Sequence, residues 1–131
     1  MIMDIVNWVL VIIGQILIVI GVMCDLIAAI LMIRFPNFYI RLHALTIGSI
    51  GGAVVPIIGA IFVALGAPHL GNYRWFLAGG AAVTALFIFM LGAIGSHAIA
   101  RAAHRSNAAT LAPCIVDHLA EDRGEEGCPQ K

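Results

Sequence analysis

Charge is what this sequence has least of. Of its 131 residues only 11% are Asp, Glu, Lys or Arg, against 62% hydrophobic ones, and the formal net charge is zero. A soluble domain of this size needs a polar skin that such a composition cannot supply. A balanced charge also removes the basic footprint that nucleic-acid binding requires. Cysteine is scarce as well: Cys24, Cys114 and Cys128 form no CxxC pair. Cys114, His118 and Cys128 lack a fourth ligand and the usual zinc spacing, so neither a redox motif nor a metal site is expected. The histidines, His43, His69, His97, His104 and His118, show no HExxH-type spacing. No serine or cysteine nucleophile has an evident base. The chain is therefore expected to have no catalytic centre and no cofactor of its own. Its opening Met-Ile-Met-Asp lacks the basic region of a cleavable signal peptide.

What is present in abundance is long apolar runs, at residues 5–33, 47–67 and 76–100. About 20 helical residues cross a hydrocarbon core, so each run can span a bilayer, the first with length to spare. Lipid offers no partner for backbone polar groups, which makes helices the expected form. The fold class predicted is all-α integral membrane: three transmembrane helices with an interfacial cytoplasmic connector between the first and second. Residues 1–107 form the membrane domain, and residues 108–131 are expected to be a polar, flexible cytoplasmic tail. Within that tail, residues 111–119 carry a weak pattern for a short surface helix.

Orientation follows from the arginines. Arg34 and Arg41 lie between the first two spans and Arg101 and Arg105 close the third, whereas the opposite side has only Arg74 and the acidic Asp4. The positive-inside rule puts the first connector and the C-terminus in the cytoplasm and the N-terminus outside. Trp8, Tyr73 and Trp75 then fall at the outer interface, where amphipathic rings settle.

Helical stepping places Asn7, Gly14, Gly21 and Asp25 on one face of the first span. Gly48, Gly52, Pro56 and Ala60 recur on the second, and Gly92, Ser96 and Ala100 on the third. Small residues let helices approach closely, and three such faces exceed what one small bundle uses, which points to other membrane subunits as partners. Pro56 should distort the second span. Asn7 and Gln15 read as packing polar groups and Cys24 as a small apolar filler.

Asp25 is the residue that packing does not explain. It lies nine positions before Arg34, roughly 12–14 Å inside the boundary and on the opposite helical face. A carboxylate at that depth costs on the order of 3 kcal/mol, so it must be neutralised by a proton, a bound cation, water or a partner. Two readings stand: a hydrogen bond to a neighbouring helix, or a place on a proton or sodium path. For His43 and His97 the readings are interfacial anchoring or proton relay.

The connector Arg34-Phe35-Pro36-Asn37-Phe38-Tyr39-Ile40-Arg41-Leu42-His43-Ala44 has an apolar side in Phe38, Tyr39 and Leu42, and Asn37 can cap a turn. It is expected to lie in the interface. Pro36, Arg34, Arg41, His43, Pro56 and Arg101 form the structural motif set. This connector, with the closing Gly95-Ser96-His97-Ala98-Ile99-Ala100-Arg101-Ala102-Ala103 stretch, resembles the small G subunit of multisubunit Mrp-type monovalent cation/proton antiporters. Related subunits occur in the membrane arms of membrane-bound hydrogenases and kindred complex-I-like machines. The resemblance covers most of residues 5–107. The chain departs from it at Asn37, where relatives commonly carry an acid, and at Leu45-Thr46-Ile47, where a lysine is frequent.

The resemblance implies a non-enzymatic subunit of a prokaryotic cytoplasmic-membrane complex exchanging Na+ for H+, packed among other membrane subunits and contributing to a cation path. The alternative is a structural subunit of the ion-translocating arm of a redox-driven complex. On either reading Asp25, His43 and His97 are the ion-path candidates.

Overall fold

A computed structural model describes residues 2–106 together with Gly124. The expected tail, its short helix and Cys114, His118 and Cys128 lie outside the described residues. Helix α1 (Ile2–Arg34) is interrupted by no proline. It stops at Arg34 because Pro36 biases the residue before it away from helical backbone angles. Arg34 in its last turn and Asp4 in its first suit the helix dipole. Asn37 takes the extended N-cap conformation for α2 (Phe38–Ile47), although its side chain makes no capping bond. Its carbonyl instead accepts the Arg41 N–H at 3.0 Å.

Only residues 35–37 separate the first two helices. The connector expected to lie in the interface is, from Phe38 onward, the beginning of the second long helix. From α2 the chain runs through a π-helical stretch (Gly48–Val54) into α3 (Val55–Leu65). At 28 residues, Phe38–Leu65 is about 42 Å long, some 12 Å more than a hydrocarbon core. Its first turns therefore project to the headgroup level, which reconciles the continuous helix with the interfacial character of Phe38, Tyr39 and Arg41.

The expected distortion at Pro56 takes the form of the π stretch itself. Proline removes a donor and its ring crowds the carbonyl four residues earlier. Widening the preceding turns to i→i+5 bonding relieves the crowding, and the glycines at 48, 51 and 52 offer little side-chain resistance. Past α3, a 3-10 turn (Pro68–Leu70) and Gly71, at φ 56°, reverse the chain into α4 (Tyr73–Arg105).

The second span occupies the middle. Helices α1 and α4 both pack on it and scarcely on each other. The outer helices use small residues seven apart: Gly14, Gly21 and Ala28 are buried on α1, and Ala78 and Ala85 on α4, with Gly92 the next step. Seven-residue spacing keeps one stripe on the partner in left-handed crossings. Small residues line the seams, and among the described residues no large side chain is fully buried. In each span only 11% of the most apolar window is buried, so nearly all of the aliphatic surface is left for lipid or other subunits.

Candidate ion site at the seam between the first two spans

The seam reads from one end to the other as glycine opposite backbone or proline. The Asn7 carbonyl lies against Gly66, Gly14 against Gly59 and Val63, Gly21 against the Pro56 ring, Cys24 against Gly51, and Asp25 against Gly52 and Gly48. The face expected on the second span is thus present at Gly48, Gly52 and Pro56, but its next member is Gly59, which is buried, not Ala60, which is exposed. Through the π turns a four-residue step stays on one face; beyond Pro56 the α-helical period returns and the step shortens. The third expected row holds: Gly92, Ser96 and Ala100 are all half-buried, and Gly92 faces Ser49.

Asp25 sits at the rim of this seam. The position a Cβ would take on Gly52 lies 2.8 Å from Asp25 Oδ1, and that on Gly48 lies 3.8 Å away. The absence of side chains at both glycines is what makes room for the carboxylate. Asp25 is nevertheless exposed on the chain's own surface. Among the described residues no hydrogen bond or ion pair engages it.

The other expected site residues cluster elsewhere. Antiparallel packing gathers Arg34, Arg41, Arg101 and Arg105 at one end of the chain, with His43 and His97, all exposed. Arg41 Nε donates to the Phe35 carbonyl at 2.5 Å, fastening the second helix to the end of the first. Pro36 lies in the short link between them. Gly92 marks the level of Ser49 on the second span, and His97 is five residues farther along, about 7.5 Å nearer the arginine end. The structure therefore does not bring His97 to Asp25.

At the opposite end Trp8, Tyr73 and Trp75 are exposed, and the Arg74 guanidinium lies over the Trp75 ring, 5.2 Å from its centre. A half-open cavity of about 390 Å³ lies there between Asp4, Asn7 and Trp8 on one side and Val63, Pro68 and His69 on the other. Its assembly was not readable from the sequence, because His69 reaches it through the 3-10 turn. Among the described residues, no group of three or more His, Cys, Asp or Glu side chains is placed to hold a metal ion.

Comparison with known proteins places this architecture. The chain shares 30% of its sequence with a chain of the Mrp complex from Dietzia sp. DQ12-45-1b, with a TM-score of 0.69 over 85% of this chain and 93% of that one. It has the same fold, at 23% identity and a TM-score of 0.60, as a chain of the membrane-bound sulfane sulfur reductase, an archaeal respiratory membrane complex; that match covers 86% of this chain and 97% of the other. It is 32% identical over 90 residues to UPF0091 protein RC0354 of Rickettsia conorii, covering 69% of this chain and 77% of that protein. Residues 17–104 match the Na+/H+ antiporter subunit family, PhaG/MnhG/YufB. With three spans, this seam and a family match across more than half its length, the chain belongs to the Na+/H+ antiporter subunit family.

Proposed function

We propose that the chain is a small subunit of a multisubunit monovalent cation/proton antiporter in the prokaryotic cytoplasmic membrane, with its N-terminus outside and its C-terminus in the cytoplasm. The transport machinery is shared with other membrane subunits, and this chain has no catalytic centre of its own. One observation carries the reading. Asp25 lies within a spanning helix, exposed at the rim of the seam and unpaired among the described residues, so its neutralising partner comes from outside those residues. A carboxylate so placed is costly unless an ion, a proton or a partner subunit meets it. The exposed apolar surface of all three spans supports a subunit packed among others. His43 and His97, at the arginine end, serve in this reading as proton-exchanging groups on the cytoplasmic side.

Deleting the chain tests the proposal. Everted membrane vesicles should lose Na+-dependent proton exchange, and the purified chain alone in liposomes should exchange nothing. Exchange by the lone chain, or undiminished exchange without it, overturns the reading.

A second reading is favoured by the shared fold with a chain of a respiratory complex: a structural subunit in the membrane arm of a redox-driven machine. Proteins co-purifying in mild detergent separate the two. Antiporter-like subunits alone support the first reading; hydrogenase or other redox subunits support the second.

A further inference from the structure

The π stretch has a consequence for the backbone next to Asp25. In it the Val55 N–H donates to the Ile50 carbonyl, five residues back, and to no other. The carbonyl of Gly51 could be paired by residue 55 in α-helical bonding or by residue 56 in π bonding. Val55 is already engaged, and Pro56 has no N–H. The Gly51 carbonyl is thus left without a backbone donor, and among the described residues no side chain supplies one.

This orphan oxygen belongs to the turn that packs on Asp25. Gly51 lies against Cys24, the residue before Asp25, and Gly52 lies against Asp25 itself. Helix carbonyls point toward the C-terminal end, so that of Gly51 is directed toward Pro56. The Pro56 nitrogen borders α1 in turn, since a Cβ on Gly21 would lie 3.0 Å from it. A free carbonyl and an unpaired carboxylate therefore lie within about one helical turn of each other along the seam, at a depth where water is scarce. Each alone is unfavourable in lipid. A single hard monovalent cation stabilises both, because unwound or irregular helix carbonyls combined with a carboxylate are oxygen ligands of the kind Na+ accepts.

We propose that Asp25 and the Gly51 carbonyl form the chain's half of a sodium-binding site at the α1–π seam, completed by water or by oxygen groups of a neighbouring subunit. The inference rests on the antiporter-subunit reading above and deepens it. Pro56 is in this view a positioning residue: it withholds the donor that would otherwise occupy the Gly51 oxygen. The site binds Na+ rather than a second peptide dipole because both ligands are oxygen acceptors and neither is a donor.

The test uses the whole complex in everted vesicles and reads the apparent KM for Na+, with assembly followed on native gels. Asp25→Asn keeps the shape and hydrogen-bonding capacity of the side chain but cannot ionise. It should raise the KM for Na+ by about tenfold or more in assembled complexes. Pro56→Ala leaves the carboxylate intact, restores an N–H at residue 56 and removes atoms from the contact with Gly21. It should assemble normally and still raise the KM for Na+ by several-fold, because the Gly51 oxygen regains a donor. A structural role for Pro56 alone would not move that constant at full assembly. A wild-type KM in assembled Pro56→Ala overturns the two-ligand site, whatever Asp25→Asn does. Wild-type values in both variants, with exchange still lost on deleting the chain, overturn the site and leave the subunit reading standing. Exchange that survives deletion removes the subunit reading itself.

Discussion

Gly14 and Gly59 meet backbone to backbone. A Cβ on Gly14 would lie 2.5 Å from the Gly59 carbonyl oxygen, and a Cβ on Gly59 would lie 2.6 Å from that of Gly14. The relationship is reciprocal, so neither helix can accept even a methyl group there without moving away from the other.

The first prediction follows from that contact. Alanine is the better helix former by roughly 1 kcal/mol, yet Gly14→Ala and Gly59→Ala should each destabilise the folded chain by about 1–3 kcal/mol, the range for forced overpacking. Thermal denaturation of the purified complex in mild detergent should show an earlier transition for both. An unchanged or later transition would show that the two helices do not approach this closely.

Gly79, Gly80 and Gly95 supply the contrast. Nothing lies within 4 Å of a Cβ at any of them. Gly79→Ala and Gly80→Ala should therefore leave the packing of the three spans intact. Their thermal transition should match the unsubstituted complex or rise slightly, reflecting helix propensity alone. A loss comparable to that at Gly14 would mean that another subunit sits directly on this face, and crosslinking from residue 79 would then identify it.

Orientation is testable by thiol labelling. With Cys24, Cys114 and Cys128 changed to serine, a cysteine at Asn72 should react with a membrane-impermeant reagent applied to intact cells. One at Ser106, beyond the arginine end of α4, should react only after the membrane is opened. The reverse pattern would invert the topology without disturbing the three helices.

The histidines at the arginine end separate proton handling from sodium binding. A chain carrying both His43→Gln and His97→Gln should retain the apparent KM for Na+, since His97 lies about 7.5 Å along the axis from the level of the proposed site. Its exchange rate should respond differently to pH, because glutamine cannot take up a proton. A pH profile superimposable on that of the unsubstituted complex would leave both side chains as interface anchors.

Much of this was legible before the fold was known, and the reasons are local. Spans of this length and apolarity have one outcome in lipid, and the seven-step recurrence of Asn7, Gly14 and Gly21 marks a packing face, to which the structure adds Ala28. The antiparallel gathering of Arg34, Arg41, Arg101 and Arg105 follows from the order of the spans. The π stretch was not legible. A four-residue step extrapolated through Pro56 carries the face to Ala60, whereas the α-helical period that returns beyond Pro56 delivers Gly59. The available signal was the run of glycines at 48, 51 and 52 ahead of a proline, which announces a distortion without saying which kind. The orphan Gly51 carbonyl was invisible for the same reason, because it depends on which bond Val55 chooses. That the connector is itself helical was also not legible. Its polar and aromatic residues do suit an interface, but nothing in them stops a helix, so it runs on without a break from Phe38.

A π turn is an α-helix holding one residue too many, and that gives the gene a hidden frame. Deleting a single codon between positions 48 and 54 would allow regular α-helical bonding and spare the reading frame of everything downstream. It would also keep α2 in step with α3, because seven α-helical steps from Gly48 to Pro56 make about the same two turns that eight steps make now. Gly48 would still face α1 near Asp25, with Pro56 and Gly59 on the same side. Such a shortened protein would be more regular as a helix and would keep the alignment between the two ends of its central span, so a one-codon deletion here should be better tolerated than in the regular α-helical turns on either side, where it rotates one end by about 100°.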